Sequence, residues 1–190
     1  MNDLINGLVV MTPTSIDITG YSSPTPVGTI QPDGSVTFSQ LLTLSLNGVF
    51  TSDYDNYMIV LRGNTNLGYP FNYQRLRVSG TDNLTTSSYT SQYISADSTS
   101  SSASRTASSR WQTLPMGNNY KSGFVQYVFG PYLTQSTAMR NVSAAAQSGG
   151  TMHDVAGTHD QSTSYDGITF ITQSATYLMF GRITVYGFNQ

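Results

Sequence analysis

The sequence has no cysteine and no glutamate, and Lys121 is its one lysine. Without cysteine it forms no disulfide and no thiolate metal site. Glu and Lys are strong helix formers that ordinarily clothe solvent-facing helices. Here all ten acidic residues are Asp, and seven of the eight basic ones are Arg. Charged residues make up 9% of the chain, against roughly 25% in an average globular protein. The formal net charge is −2 with no run of either sign. The scattered Arg62, Arg75 and Arg77 form no basic stripe, so no nucleic-acid partner is expected. No apolar run approaches the ~20 residues of a spanning helix. The longest apolar start, Leu4 to Met11, contains Asn6 and lacks a basic flank. It reads as neither a signal peptide nor a membrane insertion.

What fills the chain instead is hydroxyl and aromatic. Ser and Thr supply 51 of the 190 residues, and aromatics 12%. Thr and the aromatics favour strands, while Ser and Asn favour caps and turns. The composition points to an all-β protein, and the length to one sizeable core.

Residues 1–34 read as an N-terminal arm for docking or subunit exchange. Leu4, Ile5, Leu8 and Val9 give it an apolar cluster, and Pro13, Pro24, Pro26 and Pro32 break it. Proline fixes φ and removes a ladder donor, so this stretch should be extended and interrupted. The body spans 35–190. Val36, Phe38, Leu42, Leu44 and Leu46 alternate with Thr37, Ser39, Thr43 and Ser45, which predicts one long strand ended at Asn47-Gly48. Further strands are expected at 57–62, around Leu76 and Val78 with both side chains inward, at 89–94, and at 111–114. Others are expected at 124–129, 139–146, 168–172 and 178–188. The Ser-rich segment 95–109 and the segment 149–164 read as long loops. Eight or nine strands without a fixed repeat predict an antiparallel β-sandwich, and the long connections favour a jelly roll.

Two stretches carry a resemblance. Phe50-Thr51-Ser52-Asp53-Tyr54-Asp55-Asn56-Tyr57 runs into Met58-Ile59-Val60-Leu61, and Gly181-Arg182-Ile183-Thr184-Val185-Tyr186-Gly187 nears the end. Together they resemble segments of small jelly-roll virion structural proteins of tailed, marine-type bacteriophages, which serve as head-decoration or tail-associated subunits. The resemblance covers residues 36–190. It implies a non-enzymatic virion protein on the particle surface, a homotrimer, with capsid or tail proteins as partners. It implies no catalytic residue. The alternative is a receptor-binding tip that recognises host surface glycans. The residues themselves also allow a purely structural account: Asp53, Asp55 and Asn56 satisfy turn amides, and Ile183 and Val185 share one strand face.

Chemistry is sparse. His153-Asp154 and His159-Asp160 pair each of the two histidines with a carboxylate, which makes His153, Asp154, His159 and Asp160 the metal candidates. Neither His-x-Asp nor His-x-His occurs, and two polar turns explain the pattern equally. Asp53-x-Asp55-Asn56 lacks the glycine and distant glutamate of a calcium loop. Nucleophile elbows, Walker loops and dinucleotide fingerprints are missing, so no enzyme and no cofactor are expected. The apolar strand 124–129 is an interface candidate through Phe124, Val125, Tyr127 and Phe129, joined by Leu4, Ile5, Leu8 and Val9 of the arm. Tyr89, Tyr93 and Trp111 are the candidate glycan-stacking rings.

Overall fold

In a computed structural model, which describes residues 7–67, 72–97, 99–113, 122–145 and 150–189, the long alternating run is two strands, not one. β1 (Val9–Val10), β2 (Ser15–Thr19), β3 (Val27–Ile30) and β4 (Val36–Leu41) open the chain. β5 (Thr43–Asn47), β6 (Asn56–Thr65), β7 (Asn72–Val78) and β8 (Thr81–Asp82) follow, then β9 (Tyr89–Ala96), β10 (Ser101–Ser108) and β11 (Trp111–Thr113). β12 (Ser122–Phe129), β13 (Thr137–Ala145), β14 (Thr151–His159), β15 (Gly167–Thr172) and β16 (Met179–Phe188) complete it. No helix occurs among the described residues.

The strands form two antiparallel sheets packed face to face, a β-sandwich. The larger runs β10-β9-β14-β13-β12-β6-β16-β4-β3, with β1 also on β16. The smaller runs β11-β7-β15-β5-β2, with β8 on β7. The run 36–46 changes sheet because Gln40 takes a left-handed φ of 62°. That residue breaks the period of two, so Leu41 and Leu44 both face inward, on different sheets. The register of β16 shifts opposite the same corner, between Met179 and Gly181.

The segment expected as an arm is woven into both sheets. β2 pairs with β5, β3 with β4, and β1 with β16. Its prolines lie between these short strands, where no ladder donor is lost. Leu4 and Ile5 lie outside the described residues; Leu8 and Val9 are exposed.

The core sits between the sheets. Tyr57, Ile59 and Leu61 of β6 and Ile183 and Val185 of β16 face Leu44, Leu46, Ile168 and Phe170 of the smaller sheet, all buried. The two segments of the resemblance are direct neighbours, since β6 pairs with β16 along its whole length. Gly63 and Gly181 are opposed, and a Cβ on Gly181 would lie 2.5 Å from the Arg62 carbonyl oxygen. The turn before β6 is held less by its aspartates than by Tyr57 and Asn189. Thr51 N–H donates to Tyr57 Oη at 2.7 Å, Tyr57 Oη donates to the Thr51 carbonyl at 2.8 Å, and Asp55 N–H donates to Asn189 Oδ1 at 3.0 Å.

Three further expectations change. Segment 149–164 is largely β14, a strand inside the larger sheet between β13 and β9. Segment 95–109 is mostly a hairpin of β9 and β10, turned by Asp97, whose carboxylate accepts the N–H groups of Thr99 and Ser100. Val78 is exposed and Arg77 buried, because the Arg77 guanidinium finds Asp17, Thr169 and the Gly80 carbonyl on the outer face of the smaller sheet.

Candidate functional site: the open face of the larger sheet

In a strand of a sandwich, alternate residues face the other sheet and the rest face away. On the larger sheet the away-facing set is apolar over five adjacent strands. One row crosses Val60 (β6), Val125 (β12), Val142 (β13), Asp154 (β14) and Ile94 (β9), each opposite the next. The next row holds Arg62, Gly123, Ala144, Met152 and Ala96. Ile94 and Met152 are about 60% exposed, Val142 45% and Tyr127 38%. Among the described residues nothing packs over them.

The face has relief. Val60, Val125, Val142, Ala144 and Met152 line a groove of about 660 Å³ with Gly123 at its floor. A Cβ at Gly123 would meet the Leu61 carbonyl oxygen at 2.9 Å, so the floor is kept low by close strand approach. Beside it, Tyr127 stacks on Phe129 at 6.3 Å and meets Phe188 edge-on at 6.2 Å. Asp154 of the first row is paired across the face: Arg140, in the row beside it, donates to both Asp154 oxygens, at 3.1 and 2.6 Å. Asp154 is thereby charge-paired, which lowers the desolvation cost of covering the first row, while Arg62 stands exposed at the β6 end of the second.

The expected interface residues divide. Val125, Tyr127 and Phe129 lie on this face. Phe124 does not: it is 5% exposed, points between the sheets and stacks on Phe170. The strand is apolar on both sides because it sits between β6 and β13 with one side in the core. Apolarity on both sides singles out β12 alone; Met152 lies in the segment expected as a loop, and Val142 lies in an expected strand whose outward residues alternate with polar ones.

The expected glycan rings are not a surface. Tyr89 and Trp111 have no exposed area. Tyr89 stacks on His159 at 3.9 Å, Trp111 donates from Nε1 to the Thr158 carbonyl at 3.0 Å, and Tyr93 is half-buried against the core. Burial pushes the Tyr89 phenol above the ordinary tyrosine range. Tyr89 and Trp111 cannot stack on a sugar without unfolding.

The metal candidates are kept apart. His153 and His159 both face inward on β14, roughly 20 Å apart at ~3.3 Å per residue. Asp154 faces outward onto Arg140. Among the described residues no three His, Asp, Glu or Cys side chains gather. Asn83 donates from Nδ2 to Tyr165 Oη at 2.7 Å, so the single hydroxyl proton of Tyr165 is free to point at His159 Nε2, 2.6 Å away. His159 Nδ1 is buried without a hydrogen-bond partner. Desolvation lowers the pKa of both histidines.

Polar side chains also tie the sheets together. Gln74 of β7 and Gln126 of β12, both fully buried, exchange amide hydrogen bonds at 2.8 and 2.7 Å. Asn141 donates to the same Gln126 Oε1 at 2.9 Å, and Gln74 Nε2 lies 3.3 Å from Thr113 Oγ1. No protein-family model and no curated relative matches the chain.

Proposed function

We propose that the chain is a non-enzymatic structural subunit of a bacteriophage particle, which assembles with copies of itself and with neighbouring head or tail proteins through the open face of its larger sheet. The observation that carries the assembly part is the uncovered apolar row Val60–Val125–Val142–Ile94 with its one ion pair already satisfied. Contiguous apolar surface of this kind marks interaction sites in soluble proteins.

Magnitude bears on the mode. Fully burying a large apolar side chain stabilises by about 1.5–3 kcal/mol, so covering the exposed half of Ile94, Met152, Val142 and Tyr127 offers roughly 4 kcal/mol in all. That is about the least that association costs in lost motional freedom. The face suits a subunit held at many points on a large particle, where repeated weak contacts add through effective concentration.

The particle setting rests on the resemblance of residues 50–61 and 181–187, which also carries the homotrimer. Strand order supports the jelly-roll reading. The orders β4-β16-β6-β12 in one sheet and β5-β15-β7-β11 in the other match those expected of two interleaved Greek keys. β9, β10, β13 and β14 then extend the first sheet beyond β12.

The test is rebinding. Purified protein is mixed with particles lacking it, and the pellet is assayed. Saturable binding at regular sites is expected. Protein that never binds such particles and remains monomeric at all concentrations would overturn the reading.

A further inference from the structure

The larger sheet ends in β10, and this edge differs from the others. β2 and β3 are five and four residues long and lie next to Pro13, Pro24 and Pro26; β11 has three residues. Short strands and nearby prolines are the usual means of blunting an edge. β10 has eight residues, Ser101-Ser102-Ala103-Ser104-Arg105-Thr106-Ala107-Ser108, without proline, lysine or bulge. Among the described residues it pairs with β9 alone.

The free hydrogen-bonding groups can be placed. Asp97 N–H donates to the Ser100 carbonyl, and Asp160 N–H to the Ser88 carbonyl. In an antiparallel ladder, hydrogen-bonded and non-bonded pairs alternate. Counting from these two bonds along the β9–β10 and β9–β14 registers gives one consistent pattern. Ser102, Ser104, Thr106 and Ser108 turn their backbone groups to β9. Ser101, Ala103, Arg105 and Ala107 turn theirs outward.

We infer that this edge pairs antiparallel with β10 of a second copy, about a two-fold axis through Ser104. The inference rests on the reading of the chain as an assembling subunit, but on residues distinct from the apolar row. In the register centred on Ser104, Ser101 meets Ala107 and Ala103 meets Arg105 of the second copy. All four outward-turned residues of each chain then sit in hydrogen-bonded pairs, roughly eight bonds in total at two per pair. Shifting the axis to Arg105 sets two arginines directly opposite, which destabilises; shifting it to Ala103 leaves Ala107 outside the ladder. The chosen register places Ser104 against Ser104 and Ser102 against Thr106, hydroxyl pairs that suit cross-strand hydrogen bonding. Ala103 continues the row of Ile94 and Val142, so pairing joins the open faces of two copies into one surface. Apart from Arg105, which this register sets against Ala103, the strand carries small uncharged side chains and is complementary to itself.

The chain has no cysteine, so one introduced thiol reports directly. Ser104→Cys in the full chain is oxidised mildly and run without reductant. The two Cα atoms across the axis belong to a non-bonded pair, ~4.5 Å apart, within disulfide reach. Most of the protein is expected as a reducible dimer. Ala103→Pro removes an outward N–H and leaves the β9 ladder whole, so far-UV circular dichroism should be unchanged. In the Ala103→Pro background the dimer should fall at least tenfold, and the wild-type sedimentation coefficient should drop with it. Absence of the disulfide at concentrations where the wild type associates would overturn the inference. So would association that survives Ala103→Pro but is lost in Val142→Asp, which leaves the reading of the open face intact. A wild type monomeric at every concentration, with no binding to particles, would overturn both.

Discussion

Replacing Gln126 with leucine tests whether the sandwich is clamped by polar groups at its centre. Gln126 accepts from Gln74 and Asn141 and donates to Gln74, all fully buried. Leucine is similar in size, so little cavity forms. It leaves Gln74 Oε1 without its donor and Asn141 Nδ2 without its acceptor. Asn141 Oδ1 already lacks a partner. A buried polar group deprived of its partner costs about 1–3 kcal/mol. Two such groups, less about 1 kcal/mol for the greater apolarity of leucine, give a loss of about 1–5 kcal/mol. Against a total stability of about 5–15 kcal/mol this is large. Urea denaturation should show a lower midpoint with an unchanged slope. Gln74→Leu combined with Gln126→Leu removes both members of the amide pair, so the double variant should be more stable than the sum of the single losses by about 1–3 kcal/mol. A Gln126→Leu midpoint within error of wild type, or strict additivity, would refute the clamp.

Further expectations concern pH, close packing and the turn before β6. His153 and His159 are buried and their folded pKa values are lowered by desolvation. The unfolded chain therefore binds protons first, so stability is constant above about pH 6.5 and falls below it by about 1.4 kcal/mol per pH unit for each histidine until the folded pKa is reached. Urea midpoints between pH 7.5 and 5 should show this fall, and His153→Leu should flatten it; a pH-independent wild type would contradict the burial of these rings as neutral groups. Gly181→Ala drives a Cβ to 2.5 Å from the Arg62 carbonyl oxygen and 2.9 Å from Gly63 Cα. A loss of about 3 kcal/mol is expected, roughly 6–12 °C in Tm by calorimetry for a chain of this size. Tyr57→Phe removes both bonds to Thr51 and should cost about 1–3 kcal/mol in the same measurement.

How far the sequence carried the fold depends on which polar residues were asked to be inside. Where apolar side chains face the core, as in β6 and β16, period-two reading located strand and face together: Tyr57, Ile59, Leu61, Ile183 and Val185 are all buried. β14 inverts the pattern. Its inward set includes His153 and His159, and its outward set includes Met152 and Ala156, so a rule that puts apolar residues inside finds no strand there. Burial of His159 is made tolerable by Tyr165 and the Tyr89 ring, contacts that come from distant parts of the chain. β10 was hidden for another reason. Serine-rich sequence lacks hydrophobic periodicity, and only pairing with β9 makes it a strand. The corner at Gln40 left a trace in Leu41-Leu42, two adjacent leucines that one strand cannot bury on the same side. For the open face, the doubly apolar β12 was legible, but the row depends on which strands lie beside it. Val142 comes from the next strand and Ile94 from a strand three places along the sheet, and no local pattern aligns them with Val125.

The central claim, that the open face of the larger sheet is an assembly surface, is tested most directly by sedimentation equilibrium of the full chain against its Val142→Asp variant. Val142 is 45% exposed, so the substitution leaves the fold intact while placing an unpaired carboxylate in the middle of the apolar row. Concentration-dependent association of the wild type is predicted. The variant should associate at least ~100-fold more weakly, since a desolvated unpaired charge costs about 3 kcal/mol or more. Identical association constants for the two proteins would contradict the account.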